Sequence, residues 1–222
     1  YVLEVNPRAS RTVPFISKAI GIPIARIAVR IMTGEKLIRF NLEKRISNIF
    51  AIKEAVFPFN KFPNVDVLLG PEMKSTGEVM GIDKDFGLAF AKSQIGAGNV
   101  LPTKGLAFLS VKKAHRYEII HLAKKLLELD FKLCGTKGTT RTLERNGIKC
   151  KRINKVREGS PHIVDILSAK KIDLMINTSD AKHVDSIKDS TSLRRAALIN
   201  KVPYCTTMSA TLACIEGIKS LK

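Results

Sequence analysis

The chain has 222 residues, of which 45% are hydrophobic and 26% are charged. This length is sufficient for one or two domains with a buried core, and the composition excludes an intrinsically disordered chain. No apolar run is long enough to span a bilayer, and the sequence contains no signal peptide, so we expect a cytoplasmic protein without a membrane segment. Because Tyr1 already stands in a strand-like pattern, we expect the chain to be a piece of a longer one.

The chain carries 38 Lys and Arg against 20 Asp and Glu, a net charge of +18. Such a charge is compatible with nucleic-acid binding. However, the basic residues are spread along the chain and only 6% of residues are aromatic, whereas an RNA-binding sheet interleaves aromatic and basic side chains. The pattern favours a lysine-rich solvated surface, and it leaves room for an anionic ligand such as a nucleotide or phosphate.

The cysteines show neither a disulfide framework nor a zinc motif. No two of the four cysteines have C-x-x-C spacing, and the four histidines are scattered. The cysteines are Cys134, Cys150, Cys205 and Cys214. The sequence therefore predicts reduced, partly buried thiols without a zinc site.

The first half of the chain, residues 1–101, has little regular pattern. After a short strand at its start, apolar spacing predicts one helix from Val13 to Met32, and then mostly irregular sequence with a loop over 70–81. A further helix is predicted over Lys84–Gln94, followed by a glycine-rich linker over Gly96–Lys104.

From Gly105 onward, strands alternate with helices. Strands are predicted at Leu106–Val111, Phe131–Cys134, Lys149–Ile153, Asp173–Ile176 and Val202–Cys205. Helices are predicted over Tyr117–Leu127, in a short segment ending at Asn146-Gly147, and over His162–Ala169, Asp189–Asn200 and Ser209–Lys219. This alternation predicts an α/β domain with a parallel sheet flanked by helices.

Hydroxyl, amide and glycine residues follow every predicted strand of this sheet. They are Ser110, Gly135 to Thr140, Asn154 to Val156, Asn177 to Ser179, and Thr206-Thr207. Ligands of parallel sheets bind outside the carboxyl ends of the strands, where backbone amides and helix N-termini favour anions. The pattern favours a phosphate-bearing ligand, with Lys155 as a point charge. The alternative is that these hydroxyls only cap helices.

Four polar residues near the start indicate a different chemistry. Glu4 and Asn6 are two apart on a predicted strand and therefore share a face, and their oxygens suit Mg²⁺. Arg8 and Arg11 could hold phosphate or a carboxylated intermediate. The alternative is an ordinary surface strand followed by basic loop residues.

Three ordered segments, Glu4–Phe15, Lys53–Pro63 and Leu69–Gly81, resemble the end of an ATP-grasp domain in the large subunit of carbamoyl phosphate synthetases. The second half resembles the C-terminal regulatory domain of that subunit, which is of the methylglyoxal-synthase-like type. The resemblance implies a remnant of the synthetase domain over 1–101 and an allosteric domain over 102–222.

The resemblance also implies roles for the first four polar residues. Glu4 and Asn6 correspond to ligands of Mg²⁺ or Mn²⁺ in the second ATP site, where carbamate is phosphorylated. Arg8 and Arg11 correspond to catalytic residues that hold its phosphate and carbamate. The remaining parts of that site would lie upstream, so we expect this chain alone to be inactive.

Two effector sites are implied in the same way. An ornithine-type activator site is implied at Glu54, Phe57, Asp189, Tyr204 and Thr206. A nucleotide monophosphate site is implied at Ser110, Arg116, Thr136, Thr139, Lys155, Val156, Asn177 and Ser179. Arg116 stands where relatives have Lys, Ser179 stands at a usual Thr, and residues 180–185 differ from the usual basic loop. Asp189 has an alternative interpretation as a helix N-cap.

The implied function is that of an ATP-dependent ligase that makes carbamoyl phosphate for pyrimidine and arginine biosynthesis. Its implied partners are the remainder of the large subunit and a glutamine amidotransferase small subunit. One alternative is a standalone lyase of the methylglyoxal synthase type, although Glu158 is the only carboxylate in the loop where such enzymes carry an aspartate. The other alternative is a nucleotide- or nucleic-acid-binding module.

Overall fold

The computed structural model describes residue 5 and residues 7–42, 48–57, 73–155, 158–178 and 184–222, with only the backbone described over 184–190. The first elements are α1 (Thr12–Ile20), α2 (Ile24–Met32), β1 (Phe50–Val56), β2 (Gly77–Asp83) and α3 (Phe86–Gly96). They are followed by β3 (Gly105–Ser110), α4 (Glu118–Glu128), β4 (Phe131–Gly135), α5 (Lys137–Glu144), β5 (Lys151–Arg152), α6 (Ile163–Ser168), β6 (Leu174–Asn177), α7 (Val184–Ile199), β7 (Tyr204–Cys205) and α8 (Met208–Ser220).

Five strands form a parallel sheet in the order β5-β4-β3-β6-β7, so the predicted α/β class is confirmed. β3 is the central strand, and Leu109 lies opposite Gly135 of β4 and Ile176 of β6. Its sequence is continuously apolar because helices cover both faces of the sheet. The strands and helices predicted from Gly105 onward are present, mostly with bounds shifted by a few residues.

Side chains of β3 alternate between two apolar clusters, one on each face of the sheet. Ala107 and Leu109 belong to the cluster that includes buried residues of α4 and α8. Phe108 belongs to the opposite cluster, with buried residues of α6 and α7. This alternation follows from the two-residue period of a strand, and it fixes which helices lie on which face.

The antiparallel hairpin of β1 and β2 is joined to the sheet domain through α3, which contacts both strands of the hairpin and α8. Ala91 of α3 and Leu101 belong to the same apolar cluster as Ile215 and Ile218 of α8. The core is therefore continuous across the loop where we placed the boundary between residues 1–101 and 102–222. The division into two domains stays a prediction.

The single helix predicted from Val13 to Met32 is wrong, because the chain bends by 112° between α1 and α2. Gly21 ends α1 in the left-handed conformation at φ 67°, and Pro23 precedes α2. Glycine adopts this conformation readily, and proline cannot continue a helix. Neither α1 nor α2 contains a buried residue. Within the described residues, no single helix is long and apolar enough to span a membrane. Only α1 and α2, counted together as one bent pair, have the length and composition of a span.

The irregular sequence and loop predicted between Met32 and Gly81 are also partly wrong, because β1 and β2 lie there. Most side chains of both strands are only partly buried. Because neither face is fully buried, neither strand shows a clear alternation of apolar and polar residues. Pairing with each other and packing against α3 stabilise them, and such context is not visible in local sequence. The predicted strand at residues 1–5 lies almost wholly outside the described residues.

The predicted start of the helix before Asn200 is wrong as well. α7 begins at Val184, so Asp189 stands inside the helix rather than at its N-cap. The alternative interpretation of Asp189 as a cap is therefore contradicted.

Gly81 permits the close approach of α3 to β2, which offers a test of this packing. A Cβ at Gly81 would overlap the carbonyl oxygen of Ala89 and lie 2.6 Å from the amide nitrogen of Ser93. Gly81→Ala should lower the free energy of unfolding by about 1–3 kcal/mol or more, because the obstacle is backbone. Gly77→Ala is the matched control, since a Cβ there meets nothing within 4 Å. Equal urea midpoints for the two variants would contradict this packing.

Candidate ligand-binding sites

The carboxyl ends of β3, β4 and β6 bring predicted site residues together at one edge of the sheet. Ser110 is in register with Asn177, the last residue of β6. Thr136 follows β4, and its hydroxyl donates to the Ser110 hydroxyl at 3.4 Å. Thr139 lies in the first turn of α5, and its hydroxyl accepts from the Val111 amide at 3.2 Å. Four residues of the predicted nucleotide site therefore meet here, at what we call the carboxyl edge.

The alternative that these threonines only cap a helix does not hold. Thr136 occupies the N-cap position of α5 with an extended backbone, but its side chain makes no capping hydrogen bond. Thr139 lies within the helix and is bonded to the loop after β3. The first amides of α5 are therefore not satisfied by the Thr136 hydroxyl.

Two buried nitrogen atoms near the carboxyl edge lack hydrogen-bond partners. The Asn177 side chain is only 2% exposed, and its Nδ2 has no acceptor among the described residues. The Nε of Arg116 is also buried without an acceptor in that part of the chain. A buried unsatisfied donor costs about 1–3 kcal/mol, and a bound ligand, ion or water is the usual explanation. Phosphate and carbonyl oxygens are acceptors that both donors could use.

A cleft of about 360 Å³ opens along α5, and its charge is strongly positive. It is lined by Arg116, Lys137, Gly138, Arg141, Thr142, Arg145, Lys155 and Glu158. We call this the cation cleft. Arg116 lies close against α5 because Gly138 has no side chain, and a Cβ there would overlap Nη2 of Arg116. Val156 and Ser179, the remaining two residues predicted for this site, lie outside the described residues.

Sequence reasoning missed three cations of this cleft. Lys137, Arg141 and Arg145 follow one another at intervals of four residues, so they share one face of α5. The spacing was readable from the sequence. What the sequence did not reveal is that this face turns toward Arg116 and Lys155.

Glu158, the carboxylate that the lyase alternative depends on, contacts two neighbouring residues. Its Oε2 accepts from the Lys155 amide at 3.2 Å and lies 3.8 Å from Nη2 of Arg152. The side chain is exposed at the rim of the cation cleft. These contacts are those of a loop-stabilising carboxylate.

A second cavity, of about 370 Å³, lies between the hairpin, α3, β7 and α8. Four of the residues predicted for the ornithine-type site line it: Glu54, Phe57, Tyr204 and Thr206. The fifth, Asp189, lies in α7, and its side chain is outside the description. Residues far apart in sequence thus meet in one cavity, which we call the Glu54 cavity.

Glu54 is the single charged residue among the side chains that line this cavity in the described part of the chain. Its Oε2 accepts from Nε2 of Gln94 at 2.9 Å. Burial raises the pKa of Glu54, and the hydrogen bond from Gln94 partly opposes that rise. The aromatic residues Phe57, Phe90 and Tyr204 line the same cavity. A carboxylate among aromatic rings suits a cationic amine.

Sequence reasoning missed Gln94 in this cavity. Gln94 lies near the end of α3, and its Oε1 accepts from Nδ2 of Asn99 at 3.3 Å. Forty residues separate it from Glu54 in sequence. No local signal identifies such a pair, because the packing of α3 on β1 brings them together.

The predicted metal and phosphate residues at the start of the chain are only partly described. Glu4 and Asn6 lie outside the described residues. Arg8 and Arg11 are exposed, and Arg11 immediately precedes α1. No group of three or more His, Cys, Asp or Glu residues with metal-binding geometry occurs within the described ranges.

The environment of Glu54 predicts a raised pKa, which a titration can test. We expect the pKa of Glu54 above its ordinary value of 4.5, and a further rise in Gln94→Met, which keeps bulk but removes the amide donor. The folded state then gains stability from this group as pH falls through the window above 4.5, and loses it as pH rises. Carboxyl-carbon NMR measures both pKa values.

Asp83 provides an internal reference in the same titration. Its hydrogen bond from Lys92 lowers its pKa below 3.8. A Glu54 pKa at or below 4.5 in the wild type, with Asp83 lowered as expected, would contradict the burial of Glu54.

Comparisons with known proteins match both halves of the chain. A family model described as "MGS-like domain" matches residues 118–206, and one described as "Carbamoyl-phosphate synthase L chain, ATP binding domain" matches residues 1–40. The carbamoyl phosphate synthase large chain of Mesorhizobium japonicum is 53% identical, with 100% of this chain and 19% of that protein covered. The large chain, C-terminal section, of Methanopyrus kandleri is 49% identical, with 100% and 42% covered.

Among solved structures, the methylglyoxal synthase of Elizabethkingia anophelis NUHP1 is 18% identical with a TM-score of 0.41, over 52% of this chain and 79% of that one. The chain spans about a fifth of the length of the Mesorhizobium relative and under half of the Methanopyrus one. On the basis of the two family models and the identity over its whole length, the chain belongs with the C-terminal section of carbamoyl phosphate synthase large chains.

Proposed function

We propose that this chain supplies the allosteric part of a carbamoyl phosphate synthase, together with one wall of the site where ATP phosphorylates carbamate. The observation that carries the proposal is the grouping of the described effector residues. Those predicted for a nucleotide lie at the carboxyl edge and cation cleft, and those predicted for an amine line the Glu54 cavity. The cation cleft carries the positive charge that a phosphate requires, and the Glu54 cavity carries the negative charge that an amine requires.

The carboxyl edge and the cation cleft together form the proposed site for a nucleoside monophosphate. Arg116 and Lys155 supply positive charge, and α5 presents its N-terminus without an acidic residue in its first turn. Anions are favoured at such a helix end. Nδ2 of Asn177, which has no acceptor among the described residues, is a donor for an oxygen of the nucleoside.

The Glu54 cavity is the proposed site for an ornithine-type activator. Its carboxylate is half-buried and therefore attracts an amine more strongly than an exposed one would. Because Glu54 belongs to the hairpin and Tyr204 to the sheet, a ligand between them would contact both halves of the chain. A ligand that binds two conformations differently would bias the synthetase by about 1–3 kcal/mol.

The ATP site is proposed to need the rest of the large chain. Glu4 and Asn6 would provide ligands for Mg²⁺ or Mn²⁺, and the bound metal would neutralise phosphate charge. Arg8 and Arg11, both exposed, would hold the phosphate and carbamate oxygens. The glutamine amidotransferase small subunit is the proposed source of ammonia, with pyrimidine and arginine biosynthesis in the cytoplasm as the setting. The chain alone is proposed to be inactive.

Calorimetry with UMP and IMP tests the nucleotide site. We expect 1:1 binding of at least one of them to the purified chain. Lys155→Ala should weaken it about tenfold or more, because a charged partner of the phosphate is lost. Lys149→Ala, an exposed lysine outside the cleft, is the matched control and should leave the affinity unchanged.

Two outcomes would count against the nucleotide site. One is the absence of binding by either nucleotide. The other is weak, steeply salt-dependent binding of a generic oligonucleotide in its place, which would indicate non-specific surface charge. Production of methylglyoxal from dihydroxyacetone phosphate would support the lyase instead.

The amine site is tested by replacing its carboxylate. Glu54→Gln should weaken ornithine binding about tenfold or more while leaving the free energy of unfolding at pH 7 undiminished, because it removes a desolvated charge. The control is Glu78→Gln on β2, whose side chain pairs with Lys53 at 3.4 Å outside the cavity. If both variants bind ornithine like the wild type, the cavity is not its site.

A further inference from the structure

The four cysteines of the chain fall into two pairs with different surroundings. Cys205 is the last residue of β7 and Cys214 lies within α8, and both belong to the apolar cluster that includes buried residues of α4. Cys150 belongs to that cluster too, whereas Cys134 lies in the cluster on the opposite face of the sheet. Cys134 and Cys150 are thus divided by the sheet, while Cys205 and Cys214 lie on one side of it.

Cys205 and Cys214 also contact each other. The pKa of Cys214 is raised well above its ordinary value of 9.0, first by its hydrogen bond with Cys205 and then by burial. A hydrogen bond that raises the pKa of a thiol is one that the thiol donates, so the S–H of Cys214 points at the sulfur of Cys205. The two sulfur atoms are therefore neighbours, which is the first requirement of a disulfide.

The same two thiols line the Glu54 cavity. Cys205 is 8% exposed and Cys214 is 3% exposed, so Cys205 is the more accessible of the two. Cys134 and Cys150 line neither this cavity nor the cation cleft. A small reagent inside the Glu54 cavity would therefore meet Cys205 and Cys214 rather than the other two cysteines.

We propose that Cys205 and Cys214 form an oxidation site inside the Glu54 cavity, at which a peroxide converts the two thiols into a disulfide that weakens amine binding. The disulfide itself does not depend on what the cavity binds, whereas its effect on the amine rests on the proposed function. Peroxide is the class of oxidant that fits, because it is small and carries no charge that would have to be desolvated. Thiols reopen such a bond, so the modification is reversible.

The reaction begins at Cys205. The thiolate is the form of cysteine that attacks a peroxide, and the raised pKa of Cys214 keeps that thiol protonated. One peroxide oxygen bonds to the Cys205 sulfur as a sulfenic acid, and the other leaves as water. The Cys214 sulfur then attacks the sulfenic sulfur, the S–O bond breaks, and the hydroxyl group leaves with the Cys214 proton as a second water. The two sulfurs together give up two electrons, and the peroxide takes them up.

The disulfide would alter the amine site through the end of β7. Tyr204 and Thr206 flank Cys205 in sequence, and both line the cavity. A disulfide holds its sulfur atoms about 2.05 Å apart, much closer than a hydrogen bond between thiols does. Forming it draws the end of β7 toward α8 and moves Tyr204 and Thr206 relative to Glu54. A ligand that needs all three residues therefore loses contacts.

Differential thiol labelling of the purified, reduced chain tests the site, with hydrogen peroxide as the probe. After exposure, iodoacetamide in denaturant caps the free thiols, dithiothreitol opens any disulfide, and N-ethylmaleimide marks the released sulfurs. Cys205 and Cys214 share one tryptic peptide, residues 202–219. We expect that peptide to carry the maleimide on both cysteines, while Cys134 and Cys150 carry the iodoacetamide label alone.

Two variants show whether the sulfurs react with each other. Cys214→Ala should abolish the disulfide, because the sulfur that completes it is gone. Cys150→Ala is the matched control, since it removes a buried cysteine of the same apolar cluster that does not line the cavity, and it should react like the wild type. Circular dichroism and thermal melting establish that both variants are folded.

Calorimetry with ornithine measures the effect on the amine site. Ornithine should bind the oxidised chain about tenfold more weakly than the reduced chain. Dithiothreitol should restore the original affinity, and Cys150→Ala should show the same loss and recovery as the wild type.

The outcomes separate this inference from the proposed function. Maleimide on one or neither of Cys205 and Cys214, under conditions that oxidise the denatured chain, would overturn the oxidation site. Maleimide spread over all four cysteines would overturn it too, because it indicates oxidation of unfolded chains. Equal ornithine affinity before and after disulfide formation would overturn the effect on the amine and leave the amine site standing. Failure of ornithine to bind the reduced chain would overturn the proposed amine site, while the labelling still decides the disulfide.

Discussion

The parallel pairing of β3 with β4 on one side and β6 on the other determines where ligands can bind. Because the three strands run in one direction, Ser110, Thr136 and Asn177 emerge at the same edge. Most of the strand side chains are apolar and buried in one of the two clusters, and Lys132 of β4 is an exposed exception. The polar side chains of the carboxyl edge stand at the strand ends, and α5 begins there with its positive helix end facing the same space.

The second consequence of this sheet is the position of α8. The helix packs on the face that holds Leu109, and it also contacts α3, which carries the hairpin. Gly87 and Gly217 stand at this helix pair, where a side chain at Gly87 would meet the backbone of Glu216. The Glu54 cavity lies at their edge, where the hairpin and the sheet domain meet.

The predictability of the two sites differs for a physical reason. The residues of the carboxyl edge follow strands of a regular α/β pattern, and the right sheet class is enough to bring Ser110 and Asn177 together. The residues of the Glu54 cavity could be predicted only from the family resemblance, because β1 is only partly buried and shows no clear alternation of apolar and polar residues. Gln94 could not be predicted at all, since its contact with Glu54 depends on how α3 packs. The row of Lys137, Arg141 and Arg145 was visible as spacing, but its neighbours across the cleft were not.

The central claim is that two separate effector sites lie on one packed structure and are coupled through it. Backbone amide NMR on the labelled chain, with UMP and ornithine added singly and then together, tests it most directly. The account predicts that UMP shifts the resonances of Ser110, Thr139 and Asn177, that ornithine shifts those of Glu54 and Gln94, and that each ligand changes the affinity of the other by one common factor. The account is contradicted if UMP and ornithine shift the resonances of one shared set of residues. It is also contradicted if the affinity for each ligand is unchanged by the presence of the other.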